Sequence, residues 1–360
     1  MNNRIPALRR LLVGENLDGI IITDLANIRW LSGFTGSNAF VTVTRWGGWL
    51  YTDFRYKEQS RRQVSGCRVA VIERGLVDSL PLGPLRGLRR VGVEKHHLPL
   101  YAFEAIRRQV RPIGAKLVPV RNLVLELRRA KDPDEVRLIA AAQRHTDRVF
   151  REVLALVAPG VTELRLASEI ICRFSRVGES AFPPIVASGP NGAKPHAEPS
   201  ARRLRPGDAV TFDIGCRYRG YCSDMTRTVF VGRPHPDLLQ VYHIVREAQR
   251  RALAEVRPGA ACADVDRAAR DYIADAGYGP QFGHGLGHGV GLAVHELPSA
   301  HARSRHVLAP GDVLTVEPGI YLPGLGGVRI EDMVAVTRTG RRNLTRSPKD
   351  VVRIQPRHKS

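Results

Sequence analysis

Two stretches of this 360-residue chain occur twice. VLALVAPGVTELRLASEI (153–170) is echoed by ALAEVRPGAACADVDRAA (252–269), and LRPGDAVTFDIG (204–215) by LAPGDVLTVEPG (308–319). The order is kept and the offsets, 99 and 104, are close. Such self-similarity predicts one supersecondary unit built twice: helix, Pro-Gly turn, helix, then strands entered through Pro-Gly-Asp. Two such halves set their sheets side by side and leave a cleft at the pseudo-symmetry axis.

Ahead of the duplication, residues 4–120 read as a small α/β domain. Apolar spacing predicts a helix over 5–15, a buried strand over 19–23, a strand over 91–94 and a helix over 100–110. Residues 38–52, NAFVTVTRWGGWLYT, predict a hairpin turning at Gly47-Gly48. Asp53, Arg55 and Tyr56 at its end read as a solvated loop. The boundary falls in 121–133. Beyond it Asp132 suits an N-cap, Pro133 the first turn, and Asp134 and Glu135 the positive helix end, for a helix running to about Val157. The expected domains are 1–125 and 126–345, which makes the fold class α+β.

Composition narrows the function classes. There is no apolar run of about 18 residues, and the N-terminal stretch is not a secretory signal, so no membrane contact and a cytoplasmic location are expected. The five cysteines contain no CxxC pair and read as reduced thiols. The net charge of +20 invites a nucleic-acid reading. However, only 7 of the 55 basic residues are lysine, and the arginines are dispersed without aromatic interleaving, so no nucleic-acid partner is expected.

The duplicated strands carry acids where an apolar residue should be buried. Asp213 ends TFDIG and Glu317 stands at the equivalent place in TVEPG. A buried carboxylate needs a partner or a proton. A turn through 217–220 can bring Asp224 beside Asp213, and a glycine-rich turn can bring Glu331 to Glu317. Between the halves lies FGHGLGHGVGLAVHE (282–296), with three histidines and five glycines. Alternating glycine disfavours a helix and lets backbone approach backbone or ligand closely. In extended chain His284 and His288 share a face, with His295 past a bend. Four convergent carboxylates repel unless cations lie between them. With His288 they form an oxygen-rich set suited to two divalent ions, Mn²⁺ ahead of Co²⁺ or Zn²⁺. Two such ions can activate water and polarise a carbonyl.

TFDIG, SDMTRT, the glycine–histidine stretch, TVEPG and GVRIED, in this order, resemble the pita-bread metallopeptidases. NIRWLSGFTGSNAF and LYTDFRY resemble the creatinase-like N-terminal domain of aminopeptidase P and prolidase, which methionine aminopeptidase lacks. The resemblance implies a creatinase-like α/β domain followed by a duplicated pita-bread domain. It implies Asp213, Asp224, His288, Glu317 and Glu331 as ligands of two metal ions, with Asp224 and Glu331 bridging. His196 matches a substrate-loop histidine, His284 and His295 the pair flanking the metal histidine, and Arg329 a supporting arginine. The implied reaction is cleavage of Xaa-Pro at a peptide N-terminus, with Glu317 carrying the proton, His295 at the oxyanion, and His196 and His284 positioning substrate. Proline-containing peptides are the expected partners, and a homodimer stays open. The chain departs from the pattern in PHAEPS, around Glu198, a loop where many aminopeptidases P carry a basic or glycine residue. Dipeptide-restricted prolidase is the alternative. A catalytically dead binding module is disfavoured by the complete ligand set.

Overall fold

The computed structural model describes residues 4–73 and 75–355. The chain divides between Arg128 and Arg129 into two compact units. The first runs α1 (Arg4–Gly14), β1 (Gly19–Ile22), α2 (Leu25–Ser32), β2 (Ala39–Thr44), β3 (Gly47–Asp53), α3 (Lys57–Gln63), β4 (Arg68–Ile72), β5 (Arg90–Glu94), α4 (Leu100–Val110) and β6 (Lys116–Val120), and α5 (Leu123–Arg129) crosses the boundary. Its sheet has the order β4-β3-β2-β1-β5-β6. Every residue of β1 is buried, as expected for a central strand covered on both faces.

The hairpin turn and helix α2 are among the features that differ from the sequence reading. Thr44 pairs with Gly47, so the hairpin turns at Arg45-Trp46, two residues earlier than expected. Gly47 has φ +144, a conformation that side chains disfavour, so glycine is required at the entry of β3 rather than in the turn. Helix α2 was not anticipated. Asp24 caps it by accepting the Ala26 N–H at 2.8 Å, and Gly33 ends it at φ +82. Asp53 and Arg55 form an ion pair at 2.9 Å, with Arg55 exposed, in keeping with a solvated turn.

The second unit opens with α6 (Pro133–Leu154), capped by Asp132 and Glu135 in a reciprocal capping box. There follow α7 (Glu163–Phe174), β7 (Glu179–Ser180), β8 (Ile185–Ser188), β9 (Ala209–Ile214), β10 (Cys216–Tyr218), β11 (Tyr221–Cys222), β12 (Met225–Val231), α8 (Pro236–Glu255), α9 (Cys262–Asp275), β13 (Gly287–Gly289), β14 (Glu296–Ala300), β15 (Val313–Val316), β16 (Gly319–Leu322), β17 (Gly326–Arg329), β18 (Asp332–Val336), β19 (Arg341–Asn343) and β20 (Arg353–Ile354).

The duplication is present in the hydrogen bonds of the matching turns. Gly160 donates to Leu204 O and Gly259 to Leu308 O, both at 2.8 Å. Leu204 donates to Val161 O and Leu308 to Ala260 O, again at 2.8 Å. In the Pro-Gly-Asp turns Gly207 and Gly311 have φ +94 and +93, and Asp208 and Asp312 each accept the backbone N–H three residues back. Each half then packs its helix pair on its own sheet. Phe150, Leu166, Ile170 and Phe174 meet Phe212 in the first half. Val241, Val245, Val265 and Ile273 meet Leu314 and Val334 in the second. The sheets run β20-β12-β9-β8 and β14-β13-β15-β18-β19. The first sheet joins the separate β16–β17 hairpin and the segment leading into β18, where Glu331 N–H donates to Thr226 O at 3.1 Å and Thr228 Oγ1 to Arg329 O at 3.1 Å. Among the described residues no helix is long and apolar enough to cross a membrane.

Candidate metal centre

The carboxylates come from strand ends around that junction. Asp213 is the penultimate residue of β9 and pairs with Thr226 of β12, so Asp224 lies just before β12, near the same strand end. Between them β10 and β11 form a hairpin in which Tyr218 pairs with Tyr221. Its two turn residues, Arg219 and Gly220, have φ +48 and +86, the left-handed pair that matches strand twist. Glu317 follows β15, and Glu331 lies between β17 and β18. Oxygens of Asp213, Asp224 and Glu331 all lie within 4.8 Å of one another. His288, in β13, brings Nε2 to 3.3 Å from Glu317 Oε1 and 3.6 Å from Asp224 Oδ2. The structure thus brings together all five residues singled out in the sequence.

Their electrostatics are strained. Asp224 and Glu331 are only 5% and 1% exposed. Burial, then the neighbouring carboxylates, push both well above the usual carboxylate range. Burial raises Asp213 as well, opposed by Arg329. For Glu317 burial acts upward too, but the His288 hydrogen bond and charge outweigh it and hold the acid at about 2. Burial disfavours the His288 cation, yet Glu317 prevails and raises it.

Asp213 Oδ1 and Glu331 Oε1 are buried with no hydrogen-bond partner. Their partner carboxylate oxygens are satisfied, Asp213 Oδ2 by Arg329 Nη2 at 2.7 Å and Glu331 Oε2 by the Thr226 hydroxyl at 2.8 Å. A buried anionic oxygen without a donor is costly, and a cation is the partner this geometry lacks. Four carboxylates and one imidazole fit hard to borderline divalent ions.

Arg329, 4% exposed, ties the centre together. Besides Asp213 it donates to Tyr321 Oη at 2.8 Å, Thr226 Oγ1 at 3.1 Å and Pro195 O at 3.2 Å. Tyr321 Oη also meets His284 Nε2 at 2.9 Å. Burial lowers the pKa of His284. The His295 ring lies 4.1 Å from that of His288, tilted 48° to it, and desolvation, then the His288 charge, lower its pKa. His196, exposed, joins them on the wall of a cavity of about 490 Å³. Asp213, Asp224, His288, Glu317 and Arg329 face the same cavity.

Within the glycine–histidine stretch, residues 287–289 form β13 and Glu296 opens β14, and the rest is not strand. His284 therefore does not share an extended face with His288 but sits in a bend against Tyr321. The glycine spacing serves backbone packing. A Cβ on Gly287 or Gly289 would overlap the carbonyl oxygen of Thr315 or Leu297, and one on Gly291 the Glu296 carboxylate. Sequence reasoning missed Tyr321, Thr226 and Thr315, whose hydroxyls orient Arg329, Glu331 and Glu317. Position was the available signal: Tyr321 is four residues past Glu317 and Thr226 two past Asp224. It also missed the apolar wall formed by Phe182, Pro183, Pro184 and Ile185.

Residues 137–338 match metallopeptidase family M24, and residues 4–130 match the creatinase/prolidase N-terminal domain. An uncharacterized peptidase of Bacillus subtilis is 38% identical over 354 residues, 97% of this chain and 99% of that one. The solved Xaa-Pro dipeptidase from Bacillus anthracis superposes with a TM-score of 0.94 at 37% identity, over 98% of this chain and 99% of the other. The X-Pro aminopeptidase from Thermotoga maritima superposes at 0.87 with 32% identity, over 98% and 100%.

Proposed function

The chain belongs to metallopeptidase family M24, and from that premise we propose that it hydrolyses Xaa-Pro bonds at the N-terminus of peptides, as an Xaa-Pro aminopeptidase. Asp213, Asp224, His288, Glu317 and Glu331 would hold two divalent ions, Mn²⁺ first. When bound, such ions supply Lewis-acid polarisation of the scissile carbonyl and acidify the attacking water. Glu317, fixed by the Thr315 hydroxyl at 2.9 Å, accepts a proton and returns it to the departing proline nitrogen. That nitrogen belongs to a tertiary amide with no N–H of its own. His295 donates to the developing oxyanion. His284, braced by Tyr321, and His196 orient the peptide. The pyrrolidine ring packs on Phe182, Pro183, Pro184 and Ile185.

The preference for peptides over dipeptides rests on one observation. Lysine is absent from the cavity lining, and its sole arginine, Arg329, is fully engaged with Asp213, Tyr321, Thr226 and Pro195. The free carboxylate of a dipeptide would find no available guanidinium or ammonium there and would face Glu198. In a longer peptide the carboxylate lies elsewhere. The names of the relatives favour a second reading, dipeptidase, since the Bacillus anthracis protein carries that name. Turnover of Xaa-Pro-Yaa against Xaa-Pro with Mn²⁺ added tests the choice. Faster tripeptide cleavage is expected, and cleavage confined to the dipeptide would reverse the assignment.

A further inference from the structure

Independently of the peptidase reading, we propose that the groove between α6 and β19 is a binding site for a di- or triphosphate-type anion. Arg137, Ala140 and Arg144 lie on one face of α6 at i, i+3 and i+7. They face Arg342, Asn343, Leu344 and Arg346 across a cavity of about 260 Å³. Four guanidinium groups line this space and no carboxylate does. Arg137 pairs with Asp134, its neighbour on the helix. Arg144, Arg342 and Arg346 have no ion-pair partner among the described residues. The carboxylate of Asp147, one turn on from Arg144, is already occupied by Arg346 N–H, Ser347 N–H and the Ser347 hydroxyl. Those bonds anchor the segment after β19 to α6 and so preform the groove.

The basic composition of the chain does not account for this cluster. A second arginine-bearing surface, over α8 and α9, holds Arg250, Arg251 and Arg267 but interleaves them with Glu255, Asp264, Asp271 and Asp275. There the arginines are paired, Arg250 and Arg251 with Glu247 at 2.7 and 3.0 Å and Arg267 with Asp264 at 2.5 Å. In the α6–β19 groove the charge is left for something else to neutralise. Planar guanidinium forks on two facing elements suit the several oxygens of a polyphosphate better than a single carboxylate. Nucleotide and inorganic polyphosphates share that chemistry.

The test is calorimetric titration of the metal-free protein with tripolyphosphate and, separately, ATP at about 0.15 M salt, where diffuse attraction is screened. One saturable site is expected. Tripolyphosphate binding as tightly as ATP would place recognition in the phosphates alone, and tighter ATP would add the nucleoside. The double variant Arg342→Gln/Arg346→Gln should weaken binding about tenfold or more. Arg250→Gln/Arg267→Gln, at the self-neutralised surface, should leave it unchanged. All four side chains are exposed, and a thermal melt checks that both variants fold. No saturable binding, or an equal loss in the two variants, would overturn the proposal.

Discussion

Replacing Glu331 by glutamine should move the metal-free and metal-loaded proteins in opposite directions. In the metal-free chain, Glu331 shares a buried pocket with Asp213 and Asp224, oxygens within 4.8 Å. At that distance, and an effective dielectric near 20, two ionised carboxylates repel by about 3.5 kcal/mol. Protonation relieves part of this, because Asp224 and Glu331 are both shifted well upward. We therefore expect glutamine to stabilise the metal-free fold by about 2 kcal/mol, or roughly 4–8 °C in melting temperature. Its amide oxygen still accepts from the Thr226 hydroxyl, which now reaches Glu331 Oε2 at 2.8 Å. With Mn²⁺ in excess the order should reverse, since stabilisation by a ligand scales with its affinity and the variant lacks one anionic donor. Melting curves in chelator and in Mn²⁺, with calorimetric titration of both proteins, read the effect. Binding in the variant should weaken at least tenfold and Xaa-Pro turnover should nearly vanish. A variant less stable than wild type in chelator, or with unchanged Mn²⁺ affinity, would show that Glu331 is an ordinary strand-end acid and refute the reasoning.

Elemental analysis of the Mn²⁺-reconstituted protein should approach two ions per chain, and an active protein with none would reject the dinuclear reading. His295→Ala should keep its metal content but lose about 10²–10³ in kcat, read by the same analysis beside initial rates; loss of metal instead would make His295 a ligand. Gly287→Ala should cost at least about 3 kcal/mol in urea unfolding, because its Cβ has no room beside the Thr315 carbonyl. The metal-free protein should lose stability as pH rises from the ordinary carboxylate range. Asp224 and Glu331 have folded values above their unfolded ones, so their contribution is full below about 4 and declines as pH climbs through the raised values. Glu317, held at about 2, works in the opposite sense: its contribution is present above 4.5 and fades as pH falls. Melting temperature against pH in chelator separates the two limbs.

Much of the fold could be read before any coordinates because its signals are periodic or repeated. Helix α4 has the bounds that apolar spacing gave it, and the cap of α6 falls on Asp132. The repeats foretold matching turns, and these match to the hydrogen bond. What escaped was set by tertiary contact. Helix α2 is eight residues long and too short for its periodicity to stand out. Strand β4 is an edge strand with two exposed valines at 36% and 39%, so it lacks a buried alternation. The carboxylates announced themselves by being acids inside apolar strands. Tyr321 did not, because a tyrosine in a strand is ordinary until the β16–β17 register and the Arg329 side chain give its hydroxyl two partners.

For the dinuclear centre proposed above, the duplication predicts two positions that differ. Ser188 pairs with Val210 in the first half, and Gly289 pairs with Leu314 at the equivalent place in the second. Counting back one residue sets Ala187 opposite His288 in the pseudo-symmetry. Ala187 is buried and offers only a methyl group, where His288 offers an imidazole 3.3 Å from Glu317. The half that ends in Asp213 and Asp224 therefore supplies oxygen alone, and the half that ends in Glu317 and Glu331 supplies oxygen and nitrogen. Imidazole raises affinity for borderline divalent ions over a purely oxygen site. A titration with Co²⁺, a borderline ion, should accordingly resolve two steps rather than one, and His288→Ala should remove the tighter of them. Two indistinguishable sites in the wild-type protein would mean that the backbone symmetry, and not this side-chain asymmetry, governs binding.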